Sequence, residues 1–123
     1  MAHHELIIED NALVRRAHAL EGESIIALDT EASSFHRYRE RVCLIQLSTR
    51  EETYLVDPLA VPELDPLAQL FAQKAMEVVI HDADYDLRIL AKYHGIRVEN
   101  VFDTLVAAEL INEPEIGLAA LLG

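Results

Sequence analysis

The sequence predicts an α/β domain built around a mixed sheet, and two observations support this prediction. Three strand-like runs follow one another with short connections, at 24–31, 42–48 and 53–56, which is typical of an antiparallel meander. After residue 60, short apolar runs alternate with segments of helical periodicity, as in parallel strands joined by helices. At this length the chain is expected to be one domain, or a piece of one, over residues 1–123.

The N-terminal segment is expected to supply an edge strand and one helix. The strand is the apolar run 6–8, and the helix covers 12–20, with Asp10 or Asn11 as its N-cap. The apolar residues of this helix recur at helical spacing: Leu13, Ala17 and Leu20. Such spacing places one apolar stripe against the sheet.

The second half of the chain is expected to contain two strands and four helical segments. The strands are 77–81 and 101–102, and the helical segments are 64–73, 83–93, 104–111 and the opening of another at 117–122. Gly95 has the place of a helix C′ residue. Leu87, Leu90 and Ala91 are expected to face inward from the helix 83–93.

Two carboxylates end the most apolar strand. Asp29 and Glu31 are separated by one residue, so in a strand they point to the same face. A pair of acids on a rigid strand is a common way to build a site for divalent metal ions. The alternative is a polar strand end in solvent, because acidic residues end many strands.

Three further aspartates lie around the start of the helix 83–93. Asp82 and Asp84 are expected to be caps or partners of the helix dipole. Asp86 lies further into the helix and is expected to face the sheet, where an acid needs a partner such as a metal. Asp103 is expected to be an N-cap of the helix 104–111, near the site but not a ligand.

The net charge of −12 argues against broad electrostatic binding of nucleic acid. It does not exclude an enzyme that reaches phosphate through bound metal. Three of the ten basic residues lie just after the acidic pair: Arg37, Arg39 and Arg41. They indicate either a solvated hairpin or a loop that contacts phosphate, and both interpretations stay open.

Several segments together resemble the DEDD superfamily of 3′–5′ exonucleases, in the ribonuclease D-like (DEDDy) form. Asp29-Thr30-Glu31 resembles the first exonuclease motif, and His81-x-Ala83-x-x-Asp86 followed by Leu87 resembles the second. Further segments are similar in order and spacing: 41–47, 57–59, 102–108 and 117–122. The similarity extends from about residue 6 to residue 123, and its strength lies in the order of the motifs.

This resemblance implies an RNase H-like fold, with a five-stranded mixed sheet and helices on both faces. It also implies a 3′–5′ exonuclease that hydrolyses phosphodiester bonds with two divalent ions, Mg²⁺ or Mn²⁺. Asp29 would bridge both ions, Glu31 would bind the ion that activates water, and Asp86 would hold the second ion through its waters. Thr30, His81 and the three arginines would contact a single-stranded 3′ end, with RNA favoured over DNA.

The family's third motif, Tyr-x-x-x-Asp, has no counterpart in this chain. The helix that carries it is therefore expected to be missing, as in a domain truncated at its C-terminus or in a short protein completed by a partner. Its loss would leave a sheet face uncovered, where a second copy could bind as a homodimer. It also keeps open an alternative function, a catalytically impaired module that binds nucleic acid or protein.

The N-terminus and the cysteine content favour a cytoplasmic protein. Residues 1–10 have neither the basic nor the apolar region of a signal peptide. Cys43 is the single cysteine, so no disulfide within the chain is expected. No apolar run approaches the roughly 20 residues that span a bilayer, so no membrane association is expected.

Overall fold

The computed structural model describes the backbone of residues 3–36 and 39–122, and the side chains of 4–32, 42 and 44–122. Helices and strands follow in the predicted order, with ends that differ from the predictions by up to five residues. The strands are β1 (His3–Ile7), β2 (Ile25–His36), β3 (Arg39–Ser48), β4 (Glu52–Val56), β5 (Glu77–Ile80) and β6 (Val101–Asp103). The helices are α1 (Asp10–Leu20), α2 (Asp65–Phe71), α3 (Ala83–His94), α4 (Thr104–Leu110) and α5 (Leu118–Leu122).

The strands form one mixed sheet in the order β1-β4-β3-β2-β5-β6. β2, β3 and β4 pair antiparallel, which confirms the predicted meander, and β5 and β6 extend the sheet in parallel beside β2. β1 pairs parallel with β4 and is an edge strand, as predicted. The α/β class is confirmed, and the six strands expected from the residues are all present, but the count of five strands implied by the family resemblance is wrong.

One face of the sheet is buried by α1, α2 and α3. Alternate residues of the central strands point to this face: Ile26, Leu28, Ile45, Leu47, Val78 and Ile80. The apolar stripe of α1 and the buried side chains of α2 and α3 complete the same cluster. The alternating apolar residues of the strands and the apolar stripes of the helices therefore pack in one core, which gives the fold its main hydrophobic stabilisation.

Two details of the helix predictions are wrong. The N-cap of α1 is Glu9, without a side-chain hydrogen bond, because the helix begins at Asp10 itself. On α3, Leu87 and Leu90 face the core as predicted, but Ala91 is exposed. Gly95 has the expected left-handed conformation, with φ 64°, and its N–H bonds to carbonyl groups of the last turn of α3.

The opposite face of the sheet is only partly covered. α5 lies over it, with Leu118 and Leu122 near the middle of β2. Ile25 and Phe102, which are large apolar residues on the same face, stay exposed. Over the residues described, no helix combines the length and apolar character needed to cross a membrane.

Candidate active site at the end of β2

The acidic pair lies on the partly covered face of the sheet. Asp29 is opposite Gln46 and Glu31 is opposite Leu44 in regular antiparallel pairing with β3. The register shifts immediately after Glu31, so the two acids occupy the last regular stretch of β2. Both side chains are exposed, and the predicted placement on one face is consistent with this pairing.

Asp86 reaches the same strand from the first turn of α3. The hydroxyl of Thr30, between the two acids, donates a 2.7 Å hydrogen bond to Oδ1 of Asp86. Asp86 is half-buried, and burial raises the pKa of its carboxyl. The Thr30 bond opposes this rise in pKa, whereas the nearby charges of Asp29, Asp82 and Glu31 add to it. The predicted inward position of Asp86 is confirmed.

These acids form an open group. Among the side chains described, no three from His, Cys, Asp and Glu converge closely enough to enclose a metal ion. Within the same part of the chain, none of the ion pairs involves Asp29, Glu31 or Asp86. The site thus consists of carboxylates that repel one another and lack a described cation.

Asp103 joins two turns beside this site. Its Oδ1 accepts the N–H groups of Asp82 and Leu105, both at 2.9 Å, and its Oδ2 accepts that of Ala83 at 2.8 Å. It is the N-cap of α4, as predicted. Burial raises the pKa of Asp103, but the bonds from Ala83, Asp82, Leu105 and Val106 together bring it below its ordinary value.

The predicted capping roles of Asp82 and Asp84 are wrong in part. Asp82 is at the N-cap position of α3, but its side chain makes no capping hydrogen bond. Its backbone is left-handed, with φ 58° and ψ 65°. Asp84 pairs instead with Arg88 on the helix surface, at 3.2 Å. Two N–H groups at this helix start, those of Asp82 and Ala83, are bonded instead by Asp103, which comes from β6.

A cavity of about 350 Å³ lies next to Asp29, between the sheet and α5. His81 and Thr104 lie in its wall, with 2.8 Å between Nδ1 of His81 and Oγ1 of Thr104. The sequence analysis singled out His81 but missed Thr104, Gln46 and Ser48, which also line the cavity. Gln46 and Ser48 are polar at alternate positions of the otherwise apolar run 42–48, a signal that could have placed them here.

The three arginines of the β2–β3 hairpin lie largely outside the description. Arg37 is not among the described residues, and Arg39 and Arg41 are described only by their backbone in β3. The two interpretations of this segment, solvated hairpin and phosphate contact, therefore stay predictions.

The α/β fold with acids at the end of a central strand is compatible with several classes of enzyme, and sequence comparison identifies the family. A family model described as 3′-5′ exonuclease matches residues 6–123. The chain therefore belongs to the 3′–5′ exonuclease family. Protein RRP6-like 3 of Arabidopsis thaliana is 36% identical to it over 114 residues, which are 92% of this chain and 13% of that protein.

Two solved structures support the same assignment. The catalytic core of RRP6 from Trypanosoma brucei matches with a TM-score of 0.94 and 31% identity, over 99% of this chain and 34% of that one. Escherichia coli RNase D, described as an exoribonuclease involved in structured RNA processing, matches with a TM-score of 0.90 and 28% identity, over 99% and 32%. The expected RNase H-like fold is thereby confirmed.

The chain is short beside its relatives. It spans between 11% and 22% of the length of the first curated relatives that it matches. The family model covers the stretch of this chain that carries the acids of β2 and α3.

Proposed function

We propose that this chain acts in a 3′–5′ exonuclease that hydrolyses phosphodiester bonds of RNA from a 3′ end. The observation that carries this proposal is the hydrogen bond that holds Asp86 against Thr30 of β2, the residue between Asp29 and Glu31. Its family membership supports the same reaction. The likeness to an exoribonuclease of structured RNA supports RNA over DNA as the substrate.

The donor set suits two divalent ions, Mg²⁺ or Mn²⁺. Asp29, Glu31 and Asp86 offer only carboxylate oxygens, the donors that hard cations prefer. Their openness is compatible with Mg²⁺, which keeps several waters and is commonly bound through one or two carboxylates plus substrate phosphate. Burial is the main cause that raises the pKa of Asp86, and the charges of Asp29, Asp82 and Glu31 raise it further. A cation nearby would relieve this repulsion, which the described residues leave uncompensated.

Divalent ions held here would lower the pKa of an attacking water and neutralise charge on the phosphate. The chain's own residues supply position. Thr30 holds one oxygen of Asp86, so the carboxylate has a fixed orientation relative to the acids on β2. The strand itself holds Asp29 and Glu31, because both lie in its regularly paired part.

The cavity beside Asp29 is the proposed site for the terminal nucleotide of a single strand. Val79 and Leu118 offer apolar surface to a base, and Gln46, Ser48 and His81 offer hydrogen-bonding groups. Thr30 is less available to substrate than expected, because its hydroxyl is bonded to Asp86. Arg37, Arg39 and Arg41 stay candidates for phosphate contact.

A non-catalytic binding module is not favoured. Unpaired acids repel both one another and nucleic acid, so a module of that kind would gain nothing from Asp29, Glu31 and Asp86 side by side. We also propose that a second copy covers the partly open sheet face, away from the cavity beside Asp29, as a homodimer, because Ile25 and Phe102 are 40% and 45% exposed there. A cytoplasmic location is proposed on the single cysteine, Cys43.

The test is hydrolysis of a 5′-labelled single-stranded RNA and its DNA counterpart, with Mn²⁺, Mg²⁺ or EDTA. We expect metal-dependent shortening from the 3′ end, faster on RNA, that Asp29→Ala abolishes. Asp84→Ala is the matched control, because Asp84 is an exposed acid paired with Arg88. If Asp29→Ala and wild type cut equally, the site assignment is wrong, and binding of either strand without hydrolysis would support the module instead.

A further inference from the structure

One carboxylate ties together the turns that follow β5 and β6. These strands are parallel neighbours, and Ile80 is paired with Asp103 at their ends. The side chain of Asp103 accepts one N–H from its own turn, that of Leu105, and two from the neighbouring turn, those of Asp82 and Ala83. Its bonds to α3 thus bridge 21 and 20 residues of sequence.

The turn that receives these bonds has an unfavourable conformation. Asp82 is left-handed although it has a Cβ, and such a conformation persists only where the surroundings hold it. Asp103 holds the N–H of Asp82 and also the N–H that follows it. The side chain of Asp82 makes no capping hydrogen bond, so Asp82 does not stabilise this helix start by itself.

Asp86 comes about one helical turn after Asp82. A relaxation of the left-handed turn would rotate the first turn of α3 and change the direction from which Asp86 meets Thr30. We propose that Asp103 is a positioning residue, which holds α3 so that Asp86 can bind metal together with Asp29 and Glu31. This inference rests on the proposed function and extends the role of Asp103 beyond the cap of α4.

The test compares wild type with Asp103→Asn, which keeps the size of the side chain but has a single acceptor oxygen. The Mn²⁺ concentration that gives half of the maximal rise in melting temperature is measured for each protein, and so are kcat and KM on RNA. We expect this concentration to rise, and kcat to fall roughly 10-fold to 100-fold, as misplaced catalytic groups do. KM should stay within about twofold, because uniform substrate binding is not the interaction removed.

Asp57→Asn is the matched control. Asp57 also accepts two N–H groups, those of Leu59 and Ala60, but in the turn after β4. The Asp57→Asn variant should have a lower melting temperature, but the Mn²⁺ concentration that gives half of the maximal rise should not change. Asp82→Gly is the rescue, because glycine adopts positive φ without the Cβ penalty. The double variant Asp82→Gly/Asp103→Asn should recover part of the kcat that Asp103→Asn loses. If Asp103→Asn does not fold by itself, the double variant is compared with Asp82→Gly instead.

The outcomes separate the two proposals. A wild-type chain with neither Mn²⁺ response nor hydrolysis contradicts the proposed function. In that case amide exchange without metal decides the positioning role, since Asp103→Asn should speed exchange of the first hydrogen-bonded amides of α3. A normal wild-type response that Asp103→Asn shares, with only its melting temperature lowered, would show that Asp103 is a structural cap and no more.

Discussion

The hydroxyl of Thr30 donates a hydrogen bond of 2.7 Å to Oδ1 of Asp86, across 56 residues of sequence. This bond fastens the first turn of α3 to β2 at the residue between Asp29 and Glu31. It therefore relates the acid of the second motif to those of the first. The predictions below concern this arrangement, the charge around it and the sheet face on which it lies.

Thr30→Val should weaken metal binding while the fold is kept. Valine has nearly the same shape as threonine but cannot donate to Asp86, so the pKa of this carboxyl should rise further and its orientation should loosen. We expect a loss of about 1 kcal/mol, or roughly fivefold in Mn²⁺ affinity, by titration of the melting temperature. Thr53→Val, which breaks a bond to Ser48 between β3 and β4, should leave the affinity unchanged.

Asp29→Ala should abolish the rise in melting temperature caused by Mn²⁺ or Mg²⁺. A ligand that binds only the folded state stabilises it in proportion to occupancy, and Asp29 is the proposed shared ligand. The measurement is thermal unfolding with and without metal. Asp84→Ala, which removes the same charge from the surface of α3, should keep the rise. An unchanged shift in Asp29→Ala would mean that the metal binds elsewhere.

The stabilising contribution of Asp103 to the folded protein should be lost in acid. Its pKa is lowered in the folded state, so its stabilising contribution is complete above the ordinary pKa of Asp, about 3.9, and is lost as the pH falls toward the lowered value. The free energy of unfolding of wild type should exceed that of Asp103→Asn by a constant amount from pH 5 to 7, about 1 kcal/mol. Chemical denaturation should show this difference shrinking below about pH 4. A difference that does not depend on pH would contradict the charged form as the acceptor.

Reversal of the hairpin charges, Arg37, Arg39 and Arg41 to Glu, should weaken binding of single-stranded RNA. Each lost phosphate contact should reduce the slope of log affinity against log salt by about one. The measurement is fluorescence anisotropy at several salt concentrations. The control reverses three exposed arginines elsewhere: Arg15, Arg50 and Arg97. If both triple variants lose affinity equally, the hairpin is solvated and has no special contact with phosphate.

Phe102→Glu should favour the monomer if a second copy covers the open sheet face. The side chain is 45% exposed and does not line the cavity beside Asp29, so a charge there would oppose an apolar interface without entering that cavity. Sedimentation velocity should show a dimer of wild type and a monomer of the variant. Leu59→Glu, at an exposed residue after β4, should leave the dimer intact. A monomeric wild type would contradict the homodimer.

Much of the fold follows from local pattern. The meander, the alternation of later strands with helices and the apolar stripe of α1 were all predicted from spacing, because periods of two and 3.6 residues are properties of the local chain. An N-terminal edge strand was also predicted, but its partner in the sheet was not. β1 completes its pairing only against β4, about 50 positions later in the chain, so a short apolar run at the N-terminus does not reveal its partner.

Strand alternation and helical spacing, which are readable in the sequence, already place Asp29 and Glu31 together on β2 and turn Asp86 inward. How these acids are held depends on contacts that form only in the folded chain. Thr30 meets Asp86, and Asp103 meets the start of α3, because β5 lies between β2 and β6 in the sheet. Such contacts depend on strand order, which joins residues far apart in the chain and has no local period.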